Sequence, residues 1–433
     1  MLDAFNVCPI FCLIPLLTSS CTPQAKNSTA NTKTIYGTDD RIEISKASSE
    51  WITRSKAVGL VIDSKELKQV SGGYSIKAPP LTAYGVCPEE RFANQPILGK
   101  GTGFLVGPNI FVTAGHVIRR CDDSAIIFDV SGDIPSGANV DYAVTADRVF
   151  FCKEILSSVR MSGVDDYSVI RLDRPAISRI PLKFRETGLP AIGAPLTIIG
   201  HPSGLPMKLA TGDSNQVRNA SLLSNIIIAD LDSFAGNSGS PVFDTNTGTV
   251  EGILITGGTD YQANSPGGCK KTVFSKVGDG MGEKIMRFPR VIPFIGPALV
   301  ELGLAREISL TEKLAEANFP TPSKLSVPFE SSDPSKLMGL SLTASGTWRG
   351  TNCLEIRLLT PNGRLGGASF KNAIIQGTTD TGARAVFSKQ LNFNEMDPLP
   401  LTPTGKWMIE MYRPDGCMVQ VKLSEVELKL FVK

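Results

Sequence analysis

Histidine is nearly missing from this chain: His116 and His201 are the only two among 433 residues. A multi-histidine metal centre is therefore excluded, no metal or cofactor is implied, and any imidazole chemistry has just two candidates. Charge is sparse as well. Charged residues make up 20%, and Lys+Arg 44 against Asp+Glu 42 leaves +2. Such a balance gives no footing for nucleic acid or for an anionic membrane surface. Between about Gly101 and Gly258 there is no sustained helical periodicity, and beyond the N-terminal segment there is no apolar run of membrane-spanning length. What is present points to a turn-rich β protein: 42% hydrophobic residues, ample for a core, with 41 Gly and 29 Pro. The length allows two or three domains.

The N-terminal segment reads as an export signal. Val7 to Leu17 (VCPIFCLIPLL) is apolar, long enough for a signal core and too short to span a bilayer. Thr18, Ser19 and Ser20 follow, then Cys21. That order resembles the lipobox of bacterial lipoproteins, which implies lipidation at Cys21 and the lipid as the only membrane contact. Residues 1–21 are read as the signal, and the polar stretch 22–34 as a disordered tether or propeptide. The expected location is the bacterial cell envelope, lipid-anchored, or the exterior as a secreted monomer.

Cysteine usage agrees with export. Setting aside Cys8, Cys12 and Cys21 leaves Cys87, Cys121, Cys152, Cys269, Cys353 and Cys417. Their spacings match no zinc pattern, so disulfides are expected, with fifteen pairings open. Cys121 and Cys152 flank two strand-like runs and could close a local bridge. Cys353 with Cys417 would stay within a C-terminal domain, leaving Cys87 for Cys269.

Short β-rich runs between Gly, Pro, Asn and Asp clusters (GFLVG, NIFVTAG, YSVIRLD, LTIIG, NIIIAD, SPVFD, EGILITGG) suggest a barrel or sandwich. Val291 to Ala305 is compatible with a short helix. Residues 318–335, rich in Pro and Ser, read as a linker, and 336–433 alternates again as an all-β accessory domain.

Three segments carry chemistry. Thr113-Ala114-Gly115-His116 closes one strand-like run; Asp166-Tyr167-Ser168-Val169 opens another; Gly236-Asn237-Ser238-Gly239-Ser240-Pro241 is a glycine-flanked serine loop. Serine is a poor nucleophile at neutral pH and needs an imidazole to take its proton, and the imidazole needs a carboxylate to orient it. The glycines permit a tight turn that aims the N–H groups of Gly236 and Ser238 at an oxyanion. No His follows Ser238, which excludes the α/β-hydrolase order. An order Asp166, His201, Ser238 lacks the parallel βαβ pattern it would need. His116, Asp166, Ser238 remains.

TAGH, DYSVIRL and GNSGSPVF resemble the trypsin-like serine proteases, and the serine motif resembles the bacterial branch that includes the glutamyl endopeptidases. Ile35 to Arg41 is similar to the start of mature enzymes in that branch. The resemblance implies an all-β, chymotrypsin-like double β-barrel over 35–317, beside a separate C-terminal β-sandwich. It implies a serine endopeptidase acting on proteins or peptides, with an acyl-enzyme on Ser238. It also implies a primary pocket formed by Asp232, Ser233, Leu254 and Gly257. Asp232, six residues before Ser238, stands where trypsin-like enzymes read Arg or Lys, the alternative being a structural acid bonded to backbone or to Lys270 or Lys271, whereas Leu254 replaces the histidine that reads glutamate. Val117 and Gly101 occupy the places of a disulfide common in relatives, and Ile255 that of a serine that bonds the triad acid. Processing ahead of Ile35 would make the chain a zymogen. The contrary reading is a catalytically retired protease fold that binds proteins at the surface.

Overall fold

The computed structural model describes residues 35–131, 140–161, 165–186, 188–221, 224–318, 324–334, 337–350, 355–359, 365–366, 384–390, 404–412 and 419–432. Cys21, Cys353, Cys417 and the tether at 22–34 lie outside these residues.

Six antiparallel strands close the first barrel. In spatial order they are Val149–Met161, Asp165–Leu172, Ile110–Thr113, Gly101–Gly107, Val58–Asp63 and Ser124–Phe128. Their β-branched and aromatic residues favour the pleated backbone and fill the interior with side chains such as Phe104, Phe111, Phe128 and Val169. Strand register decides which residues share the rim. Ser168 lies opposite Thr113, so two residues before Ser168 and three beyond Thr113 meet at one end of the barrel.

The second barrel runs Pro195–Gly200, Pro241–Asp244, Val250–Thr256, Glu283–Arg287, Ile226–Asp230 and Lys208–Asn219, and closes back onto Pro195–Gly200. The short strand Arg41–Glu43 adds to its Lys208–Asn219 strand. One hydrophobic core spans both barrels. Phe104 of the first meets Phe288 of the second at 5.9 Å between ring centroids, and Phe184 stacks on Phe288 at 4.5 Å. Burial of this kind contributes about 25 cal/mol for each Å² of apolar surface, which makes the interface between barrels a rigid base for loops at its rim.

Among the described residues there are two disulfides, Cys87–Cys269 and Cys121–Cys152. Gly101 and Val117 are neighbours: a Cβ on Gly101 would lie 2.4 Å from Val117 Cγ1, so an apolar contact fills the place of the bridge found in relatives.

The helix Ile292–Glu301, with a proline in its first turn, joins the barrels to two four-stranded sheets. One sheet is ordered Arg306–Asn318, Val419–Val432, Leu337–Gly350, Arg384–Gln390; the other Lys324–Ser331, Gly405–Tyr412, Glu355–Leu359, Leu365–Gly366. Alternate residues are buried, among them Val327, Phe329, Trp407, Ile409, Val426, Leu428 and Leu430, as a sandwich requires. Two boundaries need correcting. Residues 324–331 form a strand rather than a linker, and 306–318 belongs to these sheets rather than to the protease barrels. Pro328 obscured the first of these, because proline argues against a strand. Lys324–Ser331 is an edge strand, where a missing N–H costs no ladder bond.

Candidate active site

The rim where the barrels meet holds a cavity of about 490 Å³ lined by His116, Asp166 and Ser238 together. His116 comes from the turn after Ile110–Thr113, and Asp166 from the first residues of its partner strand. Their register brings the backbone of Gly115 against that of Tyr167, and a Cβ on Gly115 would lie 2.1 Å from the carbonyl oxygen of Val159. Only glycine permits this approach. Asp166 then receives His116 twice. Oδ1 accepts the backbone N–H of His116 at 2.9 Å, and Oδ2 lies 2.6 Å from Nδ1. The backbone N–H thus supplies the second donor that Ile255 cannot provide. Neighbouring Asp165 is engaged elsewhere, accepting from Asn225 Nδ2 at 3.2 Å.

Ser238 rides on a turn held by its own backbone. Asn237 N–H donates to Phe234, Ser240 N–H to Asn237 and Gly239 N–H to Leu254, at 3.0, 2.8 and 2.7 Å. Those bonds do not use the N–H of Gly236 or of Ser238. Gly236 and Gly239 have φ of +93° and +91°. A side chain at either would collide: a Cβ on Gly236 would sit 2.5 Å from the carbonyl oxygen of His201, and one on Gly239 2.0 Å from that of Thr102. The two glycines of the motif are therefore demanded by conformation and by space.

Thr102, which the motifs did not single out, anchors this turn to the first barrel. Its N–H donates to the Ser238 carbonyl at 2.9 Å and its hydroxyl to the Gly236 carbonyl at 2.8 Å. Its Oγ1 also accepts the N–H of His201 at 3.0 Å, and its carbonyl accepts from Thr113 Oγ1 at 2.6 Å. His201 is fully buried behind the loop, with Nδ1 2.9 Å from the Leu205 carbonyl. Burial drives its pKa down to about 3, so it is a neutral packing residue.

The pocket differs from expectation in one respect. Ser233, Leu254 and Gly257 line the cavity, but Asp232 does not. Both Asp232 oxygens are used one layer behind it, Oδ1 accepting from Tyr36 N–H at 2.9 Å and Oδ2 from Asp40 N–H at 2.8 Å. The acid thus fastens the Ile35–Asp40 segment under the pocket, and burial lifts its pKa to about 7 against the pull of those two bonds. Two other acids, Asp260 and Glu283, do line the cavity. Motif reading passed over them because they come from a loop and a strand whose placement depends on long-range pairing.

Residues 101–253 match the family model described as a trypsin-like peptidase domain. Among solved structures, a Glu endopeptidase in complex with MPD is 16% identical, covering 61% of this chain and 98% of its own, with a TM-score of 0.36. An inactive serine-to-alanine mutant of Rv3671c from M. tuberculosis H37Rv is 14% identical, covering 62% of this chain and 97% of its own, with a TM-score of 0.35. The span that matches this family model, residues 101–253, carries His116, Asp166 and Ser238 within the double-barrel topology.

Proposed function

We propose that this protein is an exported serine endopeptidase that hydrolyses peptide bonds through an acyl-enzyme on Ser238. The observation that carries this reading is the doubly bonded His116–Asp166 pair sharing one cavity with Ser238. In the reaction His116 takes the proton of Ser238 Oγ as that oxygen attacks the scissile carbonyl. The tetrahedral oxyanion receives the N–H groups of Gly236 and Ser238, each worth about 3 kcal/mol of barrier. His116 then returns the proton to the leaving amine, and water repeats the sequence on the ester. Asp166 keeps the imidazole oriented and stabilises the imidazolium.

The preference is for Arg or Lys before the cut bond. Export is supported by the two disulfides, which belong to oxidising compartments. Lipidation at Cys21 anchors the enzyme to the cell envelope, and removal of the segment ahead of Ile35 activates it. The test is a mass-spectrometric map of cuts in a denatured protein, made by the purified enzyme and by its Ser238→Ala variant. Cuts made only by the unaltered enzyme are the expected result. Identical cuts from both, or none from an enzyme trimmed to Ile35, would instead support a retired fold that binds proteins.

A further inference from the structure

Among the described residues, the carboxylate of Glu283 is a buried group that the proposed reaction does not use. Its residue is fully buried at the start of the strand Glu283–Arg287, against Gly257 of the pocket wall and next to Lys284, which pairs with Thr256. Oε1 accepts the N–H of Gly258 at 3.3 Å, whereas Oε2 accepts no hydrogen bond from any described residue. A buried carboxylate oxygen without a donor is costly, and proteins seldom retain one without a purpose. The wall beside it is stripped of side chains. Gly257 carries none, and a Cβ there would lie 1.9 Å from Oε2, so the acid rests directly against the Gly257 backbone.

Surrounding charges leave Glu283 uncompensated. Arg218 is ion-paired with Asp230 at 3.3 Å and donates to the carbonyls of Gly278, Asp279 and Gly280. Arg41 forks onto Asp39 and lies over the Phe234 ring at 3.9 Å. Lys284, the next residue, faces a separate small cavity with Tyr36 and Met281. Arg160 lines the active-site cavity but is exposed, on the first barrel beside Asp166. The charges that act on Glu283 are acids: Asp260 in the same cavity, whose Oδ2 accepts from Ala235 N–H at 2.8 Å, and Asp230 and Asp232 behind. Burial and these neighbours push Glu283 well above the usual carboxylate range. An arriving cation would relieve that.

We propose that Glu283, with Asp260 nearer the mouth, is the acid that reads a cationic Arg or Lys side chain in the primary pocket, in the role first expected of Asp232. The assignment rests on the endopeptidase reading for its substrate, but the binding of a cation can be measured without turnover. The probe is benzamidinium, a flat cation that offers two N–H groups to a carboxylate.

The purified wild-type protein is expected to bind benzamidinium by calorimetry and to be competitively inhibited by it. In Glu283→Gln that affinity falls about 100-fold, as does the ratio of kcat/KM for peptides with Arg against Gln before the cut bond, the effect of removing one partner of a buried charge pair. The same losses in Asp260→Asn are several-fold smaller. Benzamidinium binding that disappears in Glu283→Gln, in a protein that cleaves nothing, would keep this assignment and sink the endopeptidase reading. An active enzyme that ignores benzamidinium and cuts after uncharged or acidic residues overturns the assignment, whether or not the variant folds. So does a Glu283→Gln enzyme of unchanged melting temperature that keeps its preference.

Discussion

The hydroxyl of Thr102 donates to the carbonyl oxygen of Gly236 at 2.8 Å, joining the first barrel to the nucleophile loop of the second. That carbonyl belongs to the residue whose N–H is assigned to the oxyanion, so the bond fixes the peptide planes on either side of the hole. Thr102→Val keeps the shape and removes the donor. It is expected to lower kcat by about 10- to 100-fold with little change in KM, because a buried unsatisfied carbonyl costs about 1–3 kcal/mol, while Thr102→Ser restores most of the rate. Steady-state kinetics on a peptide ester, with titration of acylable sites, provide the check.

Asp166→Asn leaves the packing intact but offers an amide where His116 Nδ1–H needs an acceptor. The rate constant should fall by about four orders of magnitude at neutral pH, with substrate affinity nearly unchanged. A fall below tenfold would mean that some other group orients the imidazole.

Gly236→Ala places a methyl group 2.5 Å from the His201 carbonyl oxygen, at a φ of +93° that L residues resist. The backbone must turn, and the N–H turns with it. Turnover should drop at least about 100-fold, and the melting temperature should fall as well. A fully active variant would show that the Gly236 amide is not an oxyanion donor.

His201 sets an acid limit on stability. Its pKa is lowered by folding from 6.5 to about 3, so the unfolded chain binds the proton more tightly than the native one. The stability held above about pH 6.5 is therefore lost as pH falls towards about 3, at about 1.4 kcal/mol per pH unit. The buried acids Asp232, Asp260 and Glu283 have raised pKa values and act in the opposite sense, so the His201 contribution is read as the difference in slope between the native sequence and His201→Gln in urea titrations at several pH values.

Cys87–Cys269 joins positions 182 residues apart, next to the pocket loop, and the Cys87 N–H also donates to Lys270. Replacing both cysteines with alanine should cost about 3–5 kcal/mol by the loop-entropy account. The loss would be read as a lowered denaturation midpoint, which reducing agent shifts less than in the native sequence because only Cys121–Cys152 remains.

His116, Asp166, Gly236 and Ser238 were legible as candidates because each sits in a contiguous motif whose residue types follow from the proposed chemistry: TAGH, the Asp166 strand and GNSGS. Alternation gave away the barrel strands and the C-terminal sheets for the same reason. Thr102, Asp260 and Glu283 were hidden, since their roles arise from pairings between strands far apart in sequence. Asp232 misled because position relative to Ser238 locates a residue along the chain, not the direction its carboxylate takes. Only the structure shows that the Tyr36 and Asp40 amides claim it. Lys324–Ser331 was hidden by Pro328, whose tolerance depends on an edge position that no local pattern reveals.

The hydrogen bond from Tyr36 N–H to Asp232 spans 196 positions of the chain. Contacts so distant in sequence are slow to form, because the intervening chain must be closed into a loop before they stabilise anything. The ground beneath the Ser238 turn is therefore laid only when the Ile35–Tyr36 strand, which precedes the first barrel, and the middle of the second barrel have both arrived. Until then a partly folded chain holds Ser238 on an unfinished loop.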